Sequence, residues 1–305
     1  MIYKTEFRAM GSQMLAALDT PPARTPHRLD SVPQWFEAWE ASLSRFRPES
    51  ELSQLNQNAG EEQNVSSTLW EVFELSLEAN RQSDGLVTPL ILDALVDAGY
   101  SASFEQLAAL PSDSRTGHAT PDVSQIKADA LHRTIQLPPN AHLDFGGVAK
   151  GWAAHKAMQK LKLYGPALID AGGDIAISGL QADGQPWPVG IIDPFLPERN
   201  LYTLRLGRCG IATSGRDFRR WKQGDAWKHH IIDPRTGEPA ETDVFSVTII
   251  APTVIEAEVA AKVSLISGSQ AGLTWLEARP SLAGLLILED GQRLYSPNFE
   301  KYIWE

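Results

Sequence analysis

Cysteine is nearly absent from this chain, and its scarcity excludes two kinds of stabilising site. Cys209 is the only cysteine among 305 residues, so neither an intrachain disulfide nor a cysteine-ligated zinc site can form. An excess of positive charge is also lacking, because the formal net charge is −11. Nucleic-acid-binding proteins display a basic stripe, and peripheral proteins on anionic lipid need basic residues. We therefore expect no nucleic-acid partner.

Long hydrophobic runs are missing as well. The most apolar piece, residues 282–288, is too short to cross a bilayer. Residues 1–8 contain no apolar stretch of the kind that precedes a secretory cleavage site, and no cysteine that could carry a lipid. The sequence therefore predicts a cytoplasmic protein without a membrane span.

The elements that the sequence does contain favour an α+β fold. Apolar residues recur with helical spacing in four segments, namely residues 31–43, 67–83, 147–164 and 254–267. Short β-prone runs are clustered between them, at residues 6–18, 123–126, 134–137, 189–192, 201–206, 231–232 and 245–250. Residues 168–177 predict two short strands around the Gly172–Gly173 pair, and residues 282–294 predict a hairpin. Regular βαβ alternation is not seen, which argues against a doubly wound sheet. The polar residues 111–121 predict an exposed loop inserted into one large domain, with subdomains, that covers residues 1–305.

Two glycine pairs mark possible ligand contacts. The first lies in Leu-Asp-Phe-Gly-Gly-Val-Ala-Lys-Gly, residues 143–151, where backbone amides and Lys150 at a helix start could hold an anion. A tight strand-to-helix turn explains this spacing equally well. The second pair, Gly172 and Gly173, would let a flat ligand approach the backbone, and Asp174 could accept hydrogen bonds from a ribose or base. For that pair alone, a bulge or tight hairpin is the stronger interpretation.

Residues 230–237 read His-Ile-Ile-Asp-Pro-Arg-Thr-Gly and combine a turn with two titratable groups. The isoleucine pair is β-prone, Pro234 fixes φ, and Gly237 supplies the permissive position that closes a turn. His230 and Asp233 held close together suit proton transfer or the handling of phosphate or metal. A strand and tight turn with two surface polar groups is the simpler alternative.

A third segment carries hydroxyl groups. Thr213, Ser214 and Gly215 follow a predicted strand around Ile211. The two hydroxyls either contact a phosphate or cap a turn.

Taken in chain order, these segments resemble one family, the FAD:protein FMN transferases, also called the ApbE family. The resemblance covers nearly the whole chain, and the ordered set is far more specific than any single motif. The matching segments are Met10-Gly11-Ser12, residues 50–56 (Ser-Glu-Leu-Ser-Gln-Leu-Asn), 85–89 (Gly-Leu-Val-Thr-Pro), 143–151, 171–174 (Ala-Gly-Gly-Asp), 212–215 (Ala-Thr-Ser-Gly), 230–237, and a helix containing Ala257 and Glu258.

The resemblance implies a T-fold-like architecture and a specific reaction. Such enzymes use Mg²⁺ and the pyrophosphate of FAD, move FMN onto a Thr or Ser of a target protein, and release AMP. By the resemblance, His230 assists proton transfer, Asp233 orients the turn or the cofactor, and Ala149 offers its backbone carbonyl to the metal. The FAD-binding residues that it implies are Met10, Gly11, Ser12, Lys150, Gly172, Gly173, Asp174, Thr213, Ser214, Gly215 and His230.

The chain departs from the family at the implied metal site. Glu258 stands where an Asp is usual, and Lys262 stands where a Thr also ligates the metal. A lysine ammonium has no lone pair and cannot be a ligand. We therefore expect an ion pair between Glu258 and Lys262 and a Mg²⁺ site that is weakened or lost. Thr88 and His155 each stand where an Asp is usual.

Two other functions remain open at this point. Glu258 and Lys262 favour a flavin-binding protein that has lost catalysis. A hydrolase that splits FAD into FMN and AMP is the other alternative; it would need the same metal but no protein acceptor. The chain contains no Asp-x-x-Ser/Thr-Gly-Ala-Thr-like acceptor sequence, so the flavin acceptor is expected to be another protein, which the sequence does not identify.

Overall fold

The computed structural model describes residues 1–21, 26–104, 117–217, 219–223 and 226–304. The chain divides into two compact units that each draw on separated segments. The first unit comprises Met1–Phe36, Lys150–Asp217 and Thr242–Glu305, and the second comprises Glu37–Ala149 and Phe218–Glu241.

The helices and strands of the described residues confirm an α+β fold. The helices are α1 (Val32–Leu43), α2 (Glu51–Gln57), α3 (Ser67–Gln82), α4 (Leu92–Asp97), α5 (Ala149–Leu161), α6 (Val254–Ser267) and α7 (Ser269–Glu277). The strands are β1 (Ile2–Ala9), β2 (Ser12–Asp19), β3 (Glu62–Asn64), β4 (Lys127–Asp129), β5 (Thr134–Gln136), β6 (Ala167–Ala171), β7 (Asp174–Ile177), β8 (Trp187–Asp193), β9 (Leu196–Leu206), β10 (Cys209–Gly215), β11 (Arg220–Gln223), β12 (Ala226–His229), β13 (Ile232–Asp233), β14 (Glu238–Pro239), β15 (Val244–Ala251), β16 (Ala283–Leu288) and β17 (Arg293–Tyr295). Within the described ranges, no helix is long and apolar enough to cross a membrane.

An eight-stranded sheet is the framework of the first unit. Its order is β1-β2-β6-β7-β10-β15-β16-β17, and every neighbouring pair is antiparallel. Because side chains alternate along a strand, each strand contributes to both faces of this sheet. Ile175 and Ile211 belong to a core that includes Trp187 and Leu204 of the β8–β9 hairpin. Gly210, next to Ile211, instead meets the backbone of α6, so the hairpin and α6 cover opposite faces.

Helix α6 is buried on nearly all sides, and its start is fixed locally. Thr253 is the N-cap, and its hydroxyl accepts a hydrogen bond from the Glu256 amide. Such a cap satisfies one of the amides that a helix start leaves without a partner. A side chain at Gly210 would lie 1.9 Å from the Val254 nitrogen, so the close approach of α6 to the sheet requires glycine there.

Three expectations for local structure were wrong, and one helix was not predicted. Residues 6–18 form a hairpin rather than one strand, because Met10 and Gly11 adopt positive φ angles of 49° and 66° between β1 and β2. Helix α2 (Glu51–Gln57), capped by Ser50, was not among the predicted helices. A 3₁₀ helix, Val123–Gln125, occupies most of residues 123–126, which had been expected to form a strand. Thr213, Ser214 and Gly215 continue strand β10 and do not form a turn.

The second unit contains helices α2 to α4 and three small sheets. The sheets are β3-β5-β4, β11-β12 and β13-β14. Trp221 of β11 stacks on Tyr100 at 5.4 Å and donates its indole N–H to the Ala98 carbonyl at 2.9 Å. These contacts attach β11 to the segment after α4, and β12 leads directly into residues 230–237.

Candidate active site

Three of the matching segments meet at one end of the large sheet. Ala9 pairs with Ser12 across the β1–β2 turn, and Ala171 pairs with Asp174 across the β6–β7 turn. Because β2 and β6 are antiparallel, with Met14 opposite Ala171, both turns lie at the same end. Strand β10 also finishes at this end, with Gly215. The register of the sheet thus brings together residues that lie far apart in the sequence.

The two turns touch through Gly172 and Ser12. Gly172 and Gly173 have φ angles of 68° and 96°, which few residues other than glycine adopt without strain. A Cβ atom on Gly172 would lie 2.6 Å from the Ser12 Cβ, whereas one on Gly173 would meet nothing within 4 Å. The tight hairpin expected from the glycine pair is present. Gly172 is required for packing against Ser12, whereas Gly173 leaves open space above the backbone.

Thr213 and Ser214 differ in what their side chains can reach. Thr213 is exposed, and its hydroxyl is hydrogen-bonded to the Thr248 hydroxyl on β15 at 2.9 Å. Ser214 is buried. As neighbours on a strand, the two side chains point to opposite faces of the sheet, so one phosphate cannot be bound by both hydroxyls.

A cluster of four charged side chains connects α5, β7 and α6. Lys150 forms an ion pair with Asp174, and its Nζ lies 3.6 Å from Oε1 of Glu258. Lys262 Nζ lies 3.1 Å from the same oxygen, and the Gly151 amide donates to Oε2 of Glu258 at 3.1 Å. We call Lys150, Asp174, Glu258 and Lys262 the charged cluster. The expected ion pair between Glu258 and Lys262 is present.

Burial has the largest effect on the pKa values of two carboxyl groups in this region, those of Glu258 and Asp170. Glu258 is 1% exposed. Loss of water raises its pKa, with a further rise from Asp174, and the nearby ammonium groups of Lys262 and Lys150 offset only part of the rise. Burial also raises the pKa of Asp170, although its Oδ1 accepts the Gly173 amide at 2.7 Å. The sequence did not identify Asp170 as a site residue. Its position two residues before the glycine pair could have indicated a carboxylate that accepts an amide of the turn.

Residues 230–237 form the predicted turn, in the second unit. Asp233 ends β13, and its carbonyl accepts hydrogen bonds from the Thr236 and Gly237 amides. The Asp233 carboxylate is bound by Arg235, with Nη2 to Oδ2 at 2.6 Å. Gly237 has a φ of 71°, as the sequence predicted. Nδ1 of His230 lies 3.4 Å from the Arg219 carbonyl.

The end of the predicted loop insertion packs on this turn. Residues 111–116 lie outside the described residues, but Gly117 and Thr120 are described. The Gly117 amide donates to Glu238 Oε1 at 2.7 Å, and the Thr120 amide donates to the Pro234 carbonyl at 2.8 Å. A Cβ on Gly237 would lie 2.1 Å from the His118 carbonyl oxygen. The segment around His118 is thus a support for the turn, which the sequence alone did not indicate.

Residues 50–56 and the start of residues 143–151 are joined within the second unit. The Asn56 side chain donates to the Leu143 carbonyl at 2.8 Å and accepts from the Leu143 amide at 2.7 Å. Asp144 then accepts the Gly146 amide at 2.7 Å and pairs with the Arg45 Nε at 2.8 Å. These bonds set the turn that precedes Ala149. The Arg45–Asp144 ion pair was not predicted, because the sequence of neither segment indicates that the two side chains meet.

Thr88 and His155, the other two positions at which the resemblance implies an Asp, lie outside the charged cluster. Thr88 is buried, and its hydroxyl accepts a hydrogen bond from the Leu90 amide at 3.3 Å. His155 lines a cavity of about 270 Å³ together with Ser178 and Cys209. Ser178 follows the last residue of β7, and Cys209 begins β10. His155 therefore lies towards the opposite end of these strands from Asp174.

Comparisons with known proteins show the family of this chain. The sequence model of the ApbE family matches residues 10–286. A Treponema pallidum protein named FAD:protein FMN transferase is 32% identical over 294 residues, which cover 88% of this chain and 79% of that protein. A protein of the same name from Escherichia coli strain K12 is 25% identical over 317 residues, covering 98% of this chain and 88% of that protein.

Solved structures show the same fold. The ApbE protein of Thermotoga maritima matches with a TM-score of 0.88 and 22% identity, covering 100% of both chains. The flavin transferase ApbE of Vibrio cholerae matches with a TM-score of 0.81 and 22% identity, covering 99% of both chains.

Proposed function

This chain belongs to the ApbE family, and we propose that it is an FAD:protein FMN transferase that moves FMN from FAD onto a Thr or Ser of another protein. The observation that carries the proposal is the meeting, at one end of the sheet, of the Met10–Gly11 turn, the Gly172–Gly173 turn and the Lys150–Asp174 pair. Open backbone at Gly173 and a cation beside it suit a flat ligand with a phosphate group.

The proposed reaction is a phosphoryl-type transfer. The acceptor hydroxyl oxygen attacks the phosphorus of the FMN half of FAD and forms a new P–O ester bond. The bond from that phosphorus to the bridging oxygen breaks, and AMP leaves with the bridging oxygen. The proton of the hydroxyl passes to His230. Catalysis of this kind depends on positioning and on positive charge near the phosphate oxygens.

The surroundings of individual residues support the roles proposed for them. Lys150 contributes positive charge next to Asp174, and the turn backbones at Gly11 and Gly172 allow close approach of the ligand. An Nδ1–H of His230 donated to the Arg219 carbonyl leaves the lone pair on Nε2, which is the tautomer that a proton acceptor needs. Asp233, held by Arg235, orients the turn that follows His230.

The residues at the family's metal position do not fit Mg²⁺. Magnesium requires oxygen ligands in near-octahedral geometry, whereas the Lys262 ammonium has only donors. Both oxygens of Glu258 already accept N–H groups or lie near an ammonium. Among the described residues, no group of three His, Cys, Asp or Glu side chains is placed to hold a metal. No step of the proposed reaction is therefore routed through a metal ion.

Ligand choice is the first test. We predict that FAD binds in preference to NAD or ATP, as measured by a flavin absorbance titration and by competition with each nucleotide. Failure to bind FAD at high micromolar concentration would exclude both the transferase and a flavin-binding function.

The second test measures covalent transfer. The purified chain is incubated with FAD and a carrier protein that ends in an Asp-x-x-Ser-Gly-Ala-Thr sequence, beside a carrier in which Ser and Thr are replaced by Ala. We expect one FMN on the first carrier by mass spectrometry, an equal amount of AMP, and no modification of the second. AMP without a modified carrier would indicate a hydrolase, and bound FAD with neither product would indicate a flavin-binding protein.

A further inference from the structure

Lys262 is held in place by Glu258. The two residues are one helical turn apart on α6, and Nζ lies 3.1 Å from Oε1. The Lys262 side chain is 16% exposed and that of Glu258 is 1% exposed, so the carboxylate is buried while the lysine side chain keeps some exposure. An ammonium has three N–H donors. Glu258 accepts one of them, and two further donors belong to the same group.

A divalent cation would have to displace this arrangement. Oε1 of Glu258 lies within 4 Å of both Lys262 and Lys150, and Oε2 accepts the Gly151 amide. A Cβ on Gly151 would lie 2.6 Å from Oε2, so the first turn of α5 packs directly on the carboxylate. The space beside the carboxylate is thus occupied by ammonium groups and by helix backbone.

From this geometry we propose that Lys262 takes the place of the divalent cation in this chain. Its ammonium, positioned by Glu258, hydrogen-bonds an oxygen of the FAD diphosphate, and both FAD binding and FMN transfer proceed without Mg²⁺. The inference rests on the proposed function, because it names what neutralises the diphosphate of the same substrate. One fixed positive charge replaces two, so the transfer is slower than a Mg²⁺-assisted transfer would be.

The test compares cation dependence in the unmodified chain and in a variant with the family's residues. Glu258→Asp combined with Lys262→Thr restores an oxygen donor and removes the ammonium. Lys127→Thr, on strand β4 at an exposed position, is the matched control for loss of a lysine. FAD affinity is measured by absorbance titration, and transfer by mass spectrometry of the carrier, each in EDTA and in millimolar Mg²⁺.

For the unmodified chain and the control, we expect FAD affinity and transfer rate to agree within about twofold between EDTA and Mg²⁺. The double variant should lose about 10- to 100-fold in FAD affinity in EDTA, as expected for removing a charged hydrogen bond. It should recover that affinity in Mg²⁺ and then transfer FMN faster than the unmodified chain.

Two results would overturn the inference. One is an unmodified chain whose FAD binding or transfer is abolished by EDTA and restored by Mg²⁺. The other is a double variant that binds FAD equally well in EDTA. If circular dichroism shows the double variant to be unfolded, Lys262→Gln replaces it, because glutamine keeps N–H donors without the charge. FAD binding by Lys262→Gln in EDTA that equals that of the unmodified chain would then overturn the inference. Absence of FAD binding or of covalent flavin under every condition would instead contradict the proposed function itself.

Discussion

The turn at residues 230–237 and the charged cluster differ in what holds their functional groups in position. The turn is built from backbone: the Asp233 carbonyl accepts two amides, and Gly237 closes the loop at a φ of 71°. The charged cluster is built from side chains, because Lys150, Asp174 and Glu258 come from three separate elements. The resemblance drawn from the sequence implies that the turn keeps the family's residues and that the cluster departs from them at Glu258 and Lys262.

This difference indicates which region can change its chemistry. A turn whose backbone approaches another segment as closely as Gly237 approaches His118 permits few substitutions. In a cluster of paired charges, by contrast, one ion can replace another if the carboxylate remains paired. We therefore expect the turn to retain the proton-transfer role while the cluster changes how the diphosphate is neutralised.

The largest effect is expected at the turn. His230→Ala should lower the FMN transfer rate about 10²- to 10⁴-fold, because a positioned proton acceptor is lost, while FAD affinity changes little. Mass spectrometry of the carrier at timed intervals and a flavin titration measure the two quantities. His132→Ala, at an exposed position, controls for the loss of a histidine. Unchanged transfer in His230→Ala would show that this side chain serves only the turn.

The cluster should show its largest effect in stability. Glu258→Ala leaves the Lys262 ammonium and the Gly151 amide without their shared buried carboxylate, while Lys150 keeps Asp174. The substitution should lower the free energy of unfolding by about 3–5 kcal/mol. Glu258→Gln keeps an oxygen acceptor and should cost less. Urea denaturation of both variants measures the difference. A loss below about 1 kcal/mol in Glu258→Ala would mean that the cluster is far better solvated than its burial indicates.

The same difference explains how much the sequence could predict. Helix α6 was predicted with the observed bounds, because its apolar spacing is a local signal. The Met10–Gly11 turn was missed because a methionine at positive φ is rare. The charged cluster depends on the order of strands and on how α5 and α6 pack, and neither is encoded in any one segment. Only the Glu258–Lys262 pair, four residues apart on one helix, was predictable.

The backbone origin of the turn can be tested with Gly237→Ala. The positive φ alone should cost roughly 1–3 kcal/mol of unfolding free energy, and the Cβ would also lie 2.1 Å from the His118 carbonyl oxygen. Gly184→Ala is the matched control, because Gly184 has a φ of 83° and a Cβ there would meet no atom within 4 Å. Thermal or urea unfolding should show a larger loss for Gly237→Ala. Equal losses would mean that the contact with His118 contributes nothing.

The smallest effect concerns Asp170, which lies beside the cluster but serves the Gly172–Gly173 turn. Burial raises the pKa of its carboxyl above the usual 3.8, so the folded state favours the protonated form. Protonation of Asp170 stabilises the fold fully at pH values below the pKa of Asp170 in the unfolded state. That stabilisation is lost as pH rises through the pKa of Asp170 in the folded state.

Asp170→Asn keeps an oxygen that can accept the Gly173 amide and removes the buried charge. It should therefore raise the free energy of unfolding at pH 7 by less than about 1 kcal/mol, and the gain should disappear near pH 4. Urea midpoints at the two pH values measure it. An equal loss of stability at pH 7 and near pH 4 would show that the turn needs the carboxylate of Asp170 itself. Asp170 would then resemble the charged cluster, whose geometry depends on side chains.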